Sequence, residues 1–247
     1  MKRIQFSSTI VATAMLALLP GLGAQQAPPA GGPPDQVIAL KQSLTQGQAA
    51  LRQYEWVETT IIKYKGEEKS RKKNRCYYGT DGTVQKVPLD QGAPPPAAQS
   101  QGGGGRRQGR VKQQIVQNKK DDMKDYMEDA AALIHQYVPP GPPMIQAAKD
   151  AGRISITPQA GGRARIVIAQ YLQPGDSMTI DMDPAANRLL GLGVNTYLKE
   201  PKDTVTLAVV MTTLPDGALF ASQTTLDAKA KNIEVVITNS GHQPAGR

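Results

Sequence analysis

The chain has 247 residues, a formal net charge of +8 and a single cysteine, Cys76. One thiol forms no internal disulfide, which excludes a small secreted scaffold stapled by bridges. A basic chain is drawn toward anionic surfaces such as lipid head groups or acidic polymers.

The opening stretch MKRIQFSSTIVATAMLALLPGLGAQQ has a basic start at Lys2 and Arg3, an apolar run from Ile10 to Leu19 and small residues at Gly21, Gly23 and Ala24. This pattern predicts a secretory signal peptide over 1–24, cut between Gly23 and Ala27. The apolar run is shorter than the roughly 20 residues a spanning helix needs. No cysteine stands near the cut, so an acylated N-terminus is not supported. Removing Lys2 and Arg3 takes two positive charges from +8 and leaves +6. The expected location is periplasmic or secreted, which argues against nucleic acid as a partner.

Residues 25–34, QQAPPAGGPP, form a lead with no means of packing. Asp35 stands as a helix N-cap, and Val37, Leu40, Leu44, Leu51 and Tyr54 follow at helical spacing, so 36–53 is predicted to be an amphipathic helix. Gly47 weakens its middle. YEWVETTIIKYKGEE, KSRKKNRCYYG and TVQKVPL then read as three strands of a meander, with turns at Gly66 and at 79–82. Residues 90–110 are rich in Pro, Gly, Gln and Ala and are predicted to be a disordered loop. From Lys112 to Tyr137 the pattern is helical again, with Val116, Met123, Tyr126, Met127, Ala130, Leu133, Ile134 and Tyr137 on one broad face. PPGPP (139–143) ends that helix, and a short helix from Met144 to Ala151 takes Gly152 as its C-terminal glycine.

After Gly152 seven runs rich in Ile, Val, Thr and Leu alternate with turn residues: 153–157, 163–172, 176–183, 188–198, 203–214, 218–226 and 232–238. This rhythm predicts an antiparallel sheet or barrel. Met178, Ile180 and Met182 share one side, while Ser177, Thr179, Asp181 and Asp183 share the other, so one face is oily and one wet. The oily face needs a cover, since leaving it in water forfeits about 25 cal/mol per Å² of apolar area. NSGHQPAGR closes the chain as a polar tail, with 240–247 predicted to fray.

Motifs for catalysis are few. Asp181 and Asp183 share a strand face, but DPAAN (183–187) reads as a turn and no histidine lies near them in sequence. His135 reads as a partly buried structural residue on its helix, and Cys76 as a half-buried strand residue. GGGGRR lacks the GK[ST] ending of a phosphate loop. No catalytic residue, metal site or cofactor is predicted. Two sets of residues suggest binding instead. Lys69, Arg71, Lys73 and Arg75 would line one face of a strand and meet phosphates or an anionic membrane surface, unless they serve only to keep an exposed strand from pairing. Met178, Ile180, Met182, Leu207, Val209 and Met211 would line an apolar cavity, methionine being suited to pliable apolar spaces, or would simply fill a core.

The order of elements, with YYGTDGTVQKV (77–87) and DSMTIDMDPAANRLLGLGV (176–194), resembles the periplasmic lipoprotein-carrier family with its LolA/LolB-like fold. The place of that family's Arg-Pro-bearing strand is taken by EEKSRKKNRC (67–76). The resemblance implies an α+β domain over 35–239: a strongly curved antiparallel sheet, an incomplete β-barrel, with helices covering its concave side. It also implies a non-enzymatic protein that holds an acyl chain, lipid or lipoprotein in an apolar cavity. The alternative is an envelope scaffold or protein-interaction module with a fully packed core.

Overall fold

A computed structural model describes residues 46–89 and 106–246. The predicted signal peptide, the lead, the Asp35 cap, the first part of the helix predicted over 36–53, and residues 90–105 of the predicted loop lie outside the described residues. So does Val116 as a side chain on the second helix.

Within that range a helical turn, α1 (residues 46–51), leads into three strands: β1 (Tyr54–Tyr64), β2 (Glu67–Tyr78) and β3 (Val84–Pro88). Two helices follow, α2 (Arg106–His135) and α3 (Pro142–Asp150). The rest of the chain is strand: β4 (Ile154–Pro158), β5 (Ala164–Ala169), β6 (Ser177–Asp183), β7 (Arg188–Tyr197), β8 (Thr204–Thr213), β9 (Leu219–Ala228) and β10 (Ile233–Pro244). All ten strands join one antiparallel sheet in the order β3-β2-β1-β10-β9-β8-β7-β6-β5-β4. The sheet is open, with β3 and β4 as its edges. Each edge strand ends in a proline, Pro88 or Pro158, which lacks the N–H that a further strand would use.

Local chemistry explains the joints. Lys65 (φ 52°) and Gly66 (φ 80°) both take positive φ between β1 and β2, as a two-residue turn matched to strand twist requires. Helix α3 stops at Gly152 (φ 65°), where the Arg153 N–H reaches the Ala148 carbonyl at 2.8 Å and the Gly152 N–H reaches that of Lys149 at 3.0 Å. That pair of bonds satisfies the last carbonyls of the helix. Strand β5 ends three residues before the run predicted for it. Gln170 turns with φ 50°, and buried Asp176 then collects the backbone N–H groups of Tyr171, Leu172 and Gln173.

Three other boundaries also differ from the sequence reading. Helix α1 ends at residue 51, so Tyr54 opens β1 and is not the last residue of a helical stripe. Helix α2 begins at Arg106, inside the segment predicted as loop, where Arg and Gln residues of good helix propensity follow the glycines. The C-terminal segment does not fray as a separate tail: β10 runs to Pro244, its pairing with β1 continues to Tyr54↔Pro244, and the Ala245 N–H reaches the Gln53 carbonyl at 2.7 Å.

The core lies between α2, α3 and one face of the sheet. Tyr126, Met127, Ala130, Ile134 and Tyr137 of the α2 segment fall in one buried cluster with Ile168, Met178, Leu192, Val194, Val205, Leu207 and Val209. His135 is exposed, one position off that stripe, which corrects its reading as partly buried. Two polar ties hold the helix in place. Tyr137 donates to Asp176 and sits 2.7 Å from the Thr196 hydroxyl, and Tyr126 donates to Asp203. Burial, with the acceptor carboxylate beside it, pushes both phenols well above their ordinary range. None of the helices among the described residues is long and apolar enough to cross a membrane.

Candidate functional site

The strand registers carry the site. Across the sheet, residues directly opposite one another point to the same face. One continuous row is Ile156, Ile166, Ile180, Leu192, Val209, Thr224, Ile237, Thr60 and Lys72. The next row on that face is Ile154, Ile168, Met178, Val194, Leu207, Leu226, Val235, Ile62 and Ser70. The face is oily from β4 to β8 and turns polar toward β1 and β2.

Four of the six residues predicted to line a cavity fall in these two rows: Met178, Ile180, Leu207 and Val209. Met178, Leu207 and Val209 are sealed, at 0%, 4% and 5% exposure, in the cluster that includes α2. Ile180 and Met211 pack against the cluster while half-buried, and Met182 is half-buried opposite Ala164. Ile156, at the β4 edge, is 54% exposed. Side chains therefore fill the centre of the face, and its margin remains only partly covered.

The four predicted anionic-surface residues stand on β2, exposed, but acids answer three of them. Lys69 pairs with Glu67, Arg71 makes bonds of 2.6 and 2.9 Å to Glu68, and Arg75 lies 3.9 Å from Glu55. Glu67 and Glu68 are held below the usual carboxylate range by these partners. Lys73 makes no ion pair among the described residues. Of Asp181 and Asp183, Asp183 serves the predicted turn, accepting from the Ala186 N–H at 3.1 Å, while Asp181 lies within β6 and accepts 2.7 and 2.9 Å bonds from Arg165 on β5.

At the other end of the same face the sheet divides. Pairing of β9 with β10 ends at Gln223↔Thr238, while β10 continues along β1 and β9 continues along β8. Bulges between Glu55 and Val57 and between Val210 and Met211 bend the strands on either side of the gap. Three rings close it: His242 is stacked on Trp56 at 5.8 Å and lies 3.9 Å from Phe220. Asn239 ties the two sides, accepting from the Trp56 indole at 3.1 Å and donating to the Ala221 carbonyl at 2.8 Å. Helix α1 packs over the end, with Gly47 so near β9 that a Cβ there would lie 2.9 Å from Leu219 Cβ.

Beneath these rings is a cleft of about 50 Å³, lined among others by Gln48, Leu51, Met211, Thr224, Ile237 and the pair Glu58 and Lys86. Lys86 donates to both carboxylate oxygens of Glu58, at 2.7 and 2.9 Å, and the two side chains are only 21% and 6% exposed. Cys76 stands in register between Trp56 and Lys86 and is fully buried. Burial, and then the Glu58 charge, push its thiol up to about 11, so it stays protonated and unreactive at neutral pH. Burial lowers the His242 imidazole below its ordinary value, which keeps it neutral.

Trp56, Glu58, Lys86 and His242 are not among the residues singled out from sequence. The signal for two of them was present: Trp56, Glu58, Thr60 and Ile62 alternate onto one face, as do Val84 and Lys86, and each set holds one inward charge. For His242 no such signal exists, because the glycine and polar residues around it read as a tail. Among the described residues no group of three or more His, Cys, Asp or Glu is placed to hold a metal ion. Compared with family models, curated proteins and solved structures, the chain matches none.

Proposed function

We propose that the protein is a non-enzymatic binding protein of the periplasm or cell exterior, whose sheet bends into an incomplete barrel with the helices over its concave side. An acyl chain, free or attached to a lipid or lipoprotein, lies on that apolar face. The supporting observation is half-covered apolar surface at two places on that face, Ile156, Ile166 and Ile180 toward the β4 edge and Met211 and Ile237 at the divided end, with sealed Leu192 and Val209 between them. The cleft of about 50 Å³ is far too small for the tail. The tail therefore occupies the margin beside α2, or the space α2 leaves when its ties to Asp176 and Asp203 release. Each buried CH₂ contributes about 0.8 kcal/mol. Lys73 and its neighbours on β2 aid approach to anionic membranes, an attraction that salt weakens.

Mass spectrometry of organic extracts from natively purified protein, with displacement of a fluorescent fatty acid, tests this. Recovered lipid and saturable displacement are expected. Clean extracts and no displacement sink the acyl-chain reading. The second reading, an envelope scaffold or interaction module with a filled interior, is favoured by the sealed Met178, Leu207 and Val209. It takes over in that event.

A further inference from the structure

The cleft at the divided end has a chemistry of its own. A single water needs about 10–15 Å³ of such space, so about 50 Å³ admits a polar group of a few heavy atoms. Its walls carry both signs of charge and no net charge, because the Glu58 carboxylate is satisfied at both oxygens by Lys86. Thr224 supplies the opening for a ligand. Its side chain lines the cleft, the residue is only 5% exposed, and among the described residues its hydroxyl makes no hydrogen bond. The hydroxyl faces the open space of the cleft, where a bound hydroxyl or amide gives it a direct partner. Met211 and Ile237 line the cleft and are themselves only half-buried, so partly exposed apolar surface adjoins it.

Building on the acyl-chain reading, we infer that this cleft takes the uncharged, hydroxyl- or amide-bearing head of an amphiphile whose tail lies along the Met211 and Ile237 margin. An anionic head is disfavoured. A carboxylate entering the cleft loses its hydration, and the Lys86 charge it would need is already taken by Glu58. A hydroxyl head meets Thr224 and the free lone pairs of the Glu58 carboxylate without bringing a charge into the buried cleft.

Trp56 is the one tryptophan of the chain and stands in the cleft wall, so its emission reports occupancy directly. The full protein is titrated at mildly alkaline pH with monolaurin and with laurate, which share a tail and differ in the head, each below its micelle-forming concentration. Displacement of a fluorescent acyl probe is followed in parallel. Monolaurin is expected to shift Trp56 emission saturably and to bind about tenfold more tightly than laurate. Thr224→Val, a substitution of nearly equal shape, should reduce monolaurin binding several-fold while leaving laurate binding and the ligand-free emission unchanged. Glu58→Gln, which frees Lys86, should reverse the preference toward laurate. Probe displacement by both ligands with equal affinity, or with Trp56 emission unmoved, overturns the head-group site and leaves the acyl-chain reading standing. Displacement by neither overturns both.

Discussion

The face of the sheet that packs with α2 closes its two halves by different means. Between β4 and β8 the sheet packs with residues of a helix: Met178, Leu207 and Val209 lie in one buried cluster with Tyr126, Met127 and Ile134. Between β9 and β1 the sheet covers itself, through His242, Trp56 and Phe220 and through the buried pair of Glu58 and Lys86. The ladder runs from β8 into β9 without a gap, so backbone pairing does not separate the halves where they meet. The inward residues do: one row changes from Ile180, Leu192 and Val209 to Thr224, Ile237, Thr60 and Lys72 within four strand steps. An oily half can be sealed by any apolar stripe of the right width. A polar half must satisfy its own charges before anything can cover it.

Removing one partner of the ion pair should therefore cost more than any single change in the oily half. Glu58→Gln leaves the Lys86 ammonium largely buried without its counter-charge, and a loss of about 3–5 kcal/mol is expected in urea unfolding. Lys86→Met should behave alike. The double variant should recover much of the loss, since a pair replaced by neutral groups leaves no orphan charge. Additive losses in the double variant would show that the two charges do not depend on each other, and the distinction between the halves would fail.

In the oily half the corresponding change is Met178→Ala. Met178 is fully buried between Ile168 and Val194, and a loss of about 2–4 kcal/mol is expected, depending on how far α2 settles into the space. If that half is instead pliable enough to accept an acyl chain in place of α2, the loss should sit near the lower end. The m-value separates the cases, because a loosened α2 exposes less new surface on unfolding.

How much of this could be read from the chain depends on which half is considered. All seven strands after Gly152 and the three before the long helix show in the sequence, since alternation and turn residues fix strand existence even where boundaries shift by a few residues. Met178 and Ile180, and likewise Leu207 and Val209, could be assigned to one face because they stand two apart along their strands, with Ser177, Thr179 and Asp181 alternating against the first pair. The divided end could not be seen, because it depends on two bulges. A bulge adds a residue to one strand without a distinctive side chain, so Val210 and Met211 look like ordinary alternation. The covering role of His242 depends on where β10 leaves β9, a tertiary event that its local sequence does not encode. For Lys69, Arg71 and Arg75 the charges were legible but their neutralisation was not. It depends on bonds to Glu67, Glu68 and, across the strand pair, Glu55.

Gly47 gives a sharper test, because sequence and structure disagree on its sign. As a residue in a helix, its replacement by alanine should stabilise α1 by up to about 1 kcal/mol. In the fold, an added Cβ would lie 2.9 Å from Leu219 Cβ and 3.1 Å from the Gly217 carbonyl, so α1 must move off β9. Crowding of this kind costs about 1–3 kcal/mol, and a net loss of about 1 kcal/mol is expected for Gly47→Ala by thermal or urea unfolding. A net gain would mean that α1 rests loosely on the divided end and is not part of its cover.

The smallest expected effect is a change in slope. His242 is held neutral by burial against Trp56 and Phe220, and the charged groups that share its cleft are Glu58 and Lys86, already committed to each other. Its pKa is lower in the fold than in the unfolded chain, so between those two values the unfolded chain binds more protons. Stability contributed by the neutral ring is complete above the unfolded value of about 6.5 and is lost as pH falls from there through the folded value. Unfolding free energy measured by Trp56 emission at several values between about pH 7.5 and 5 should decline, and His242→Asn should flatten the decline over that window. The oily half holds no histidine in its buried cluster, so Met178→Ala should lower the whole curve while keeping its shape. A wild-type curve unchanged by His242→Asn would place the acid sensitivity elsewhere and remove His242 from the closure of the divided end.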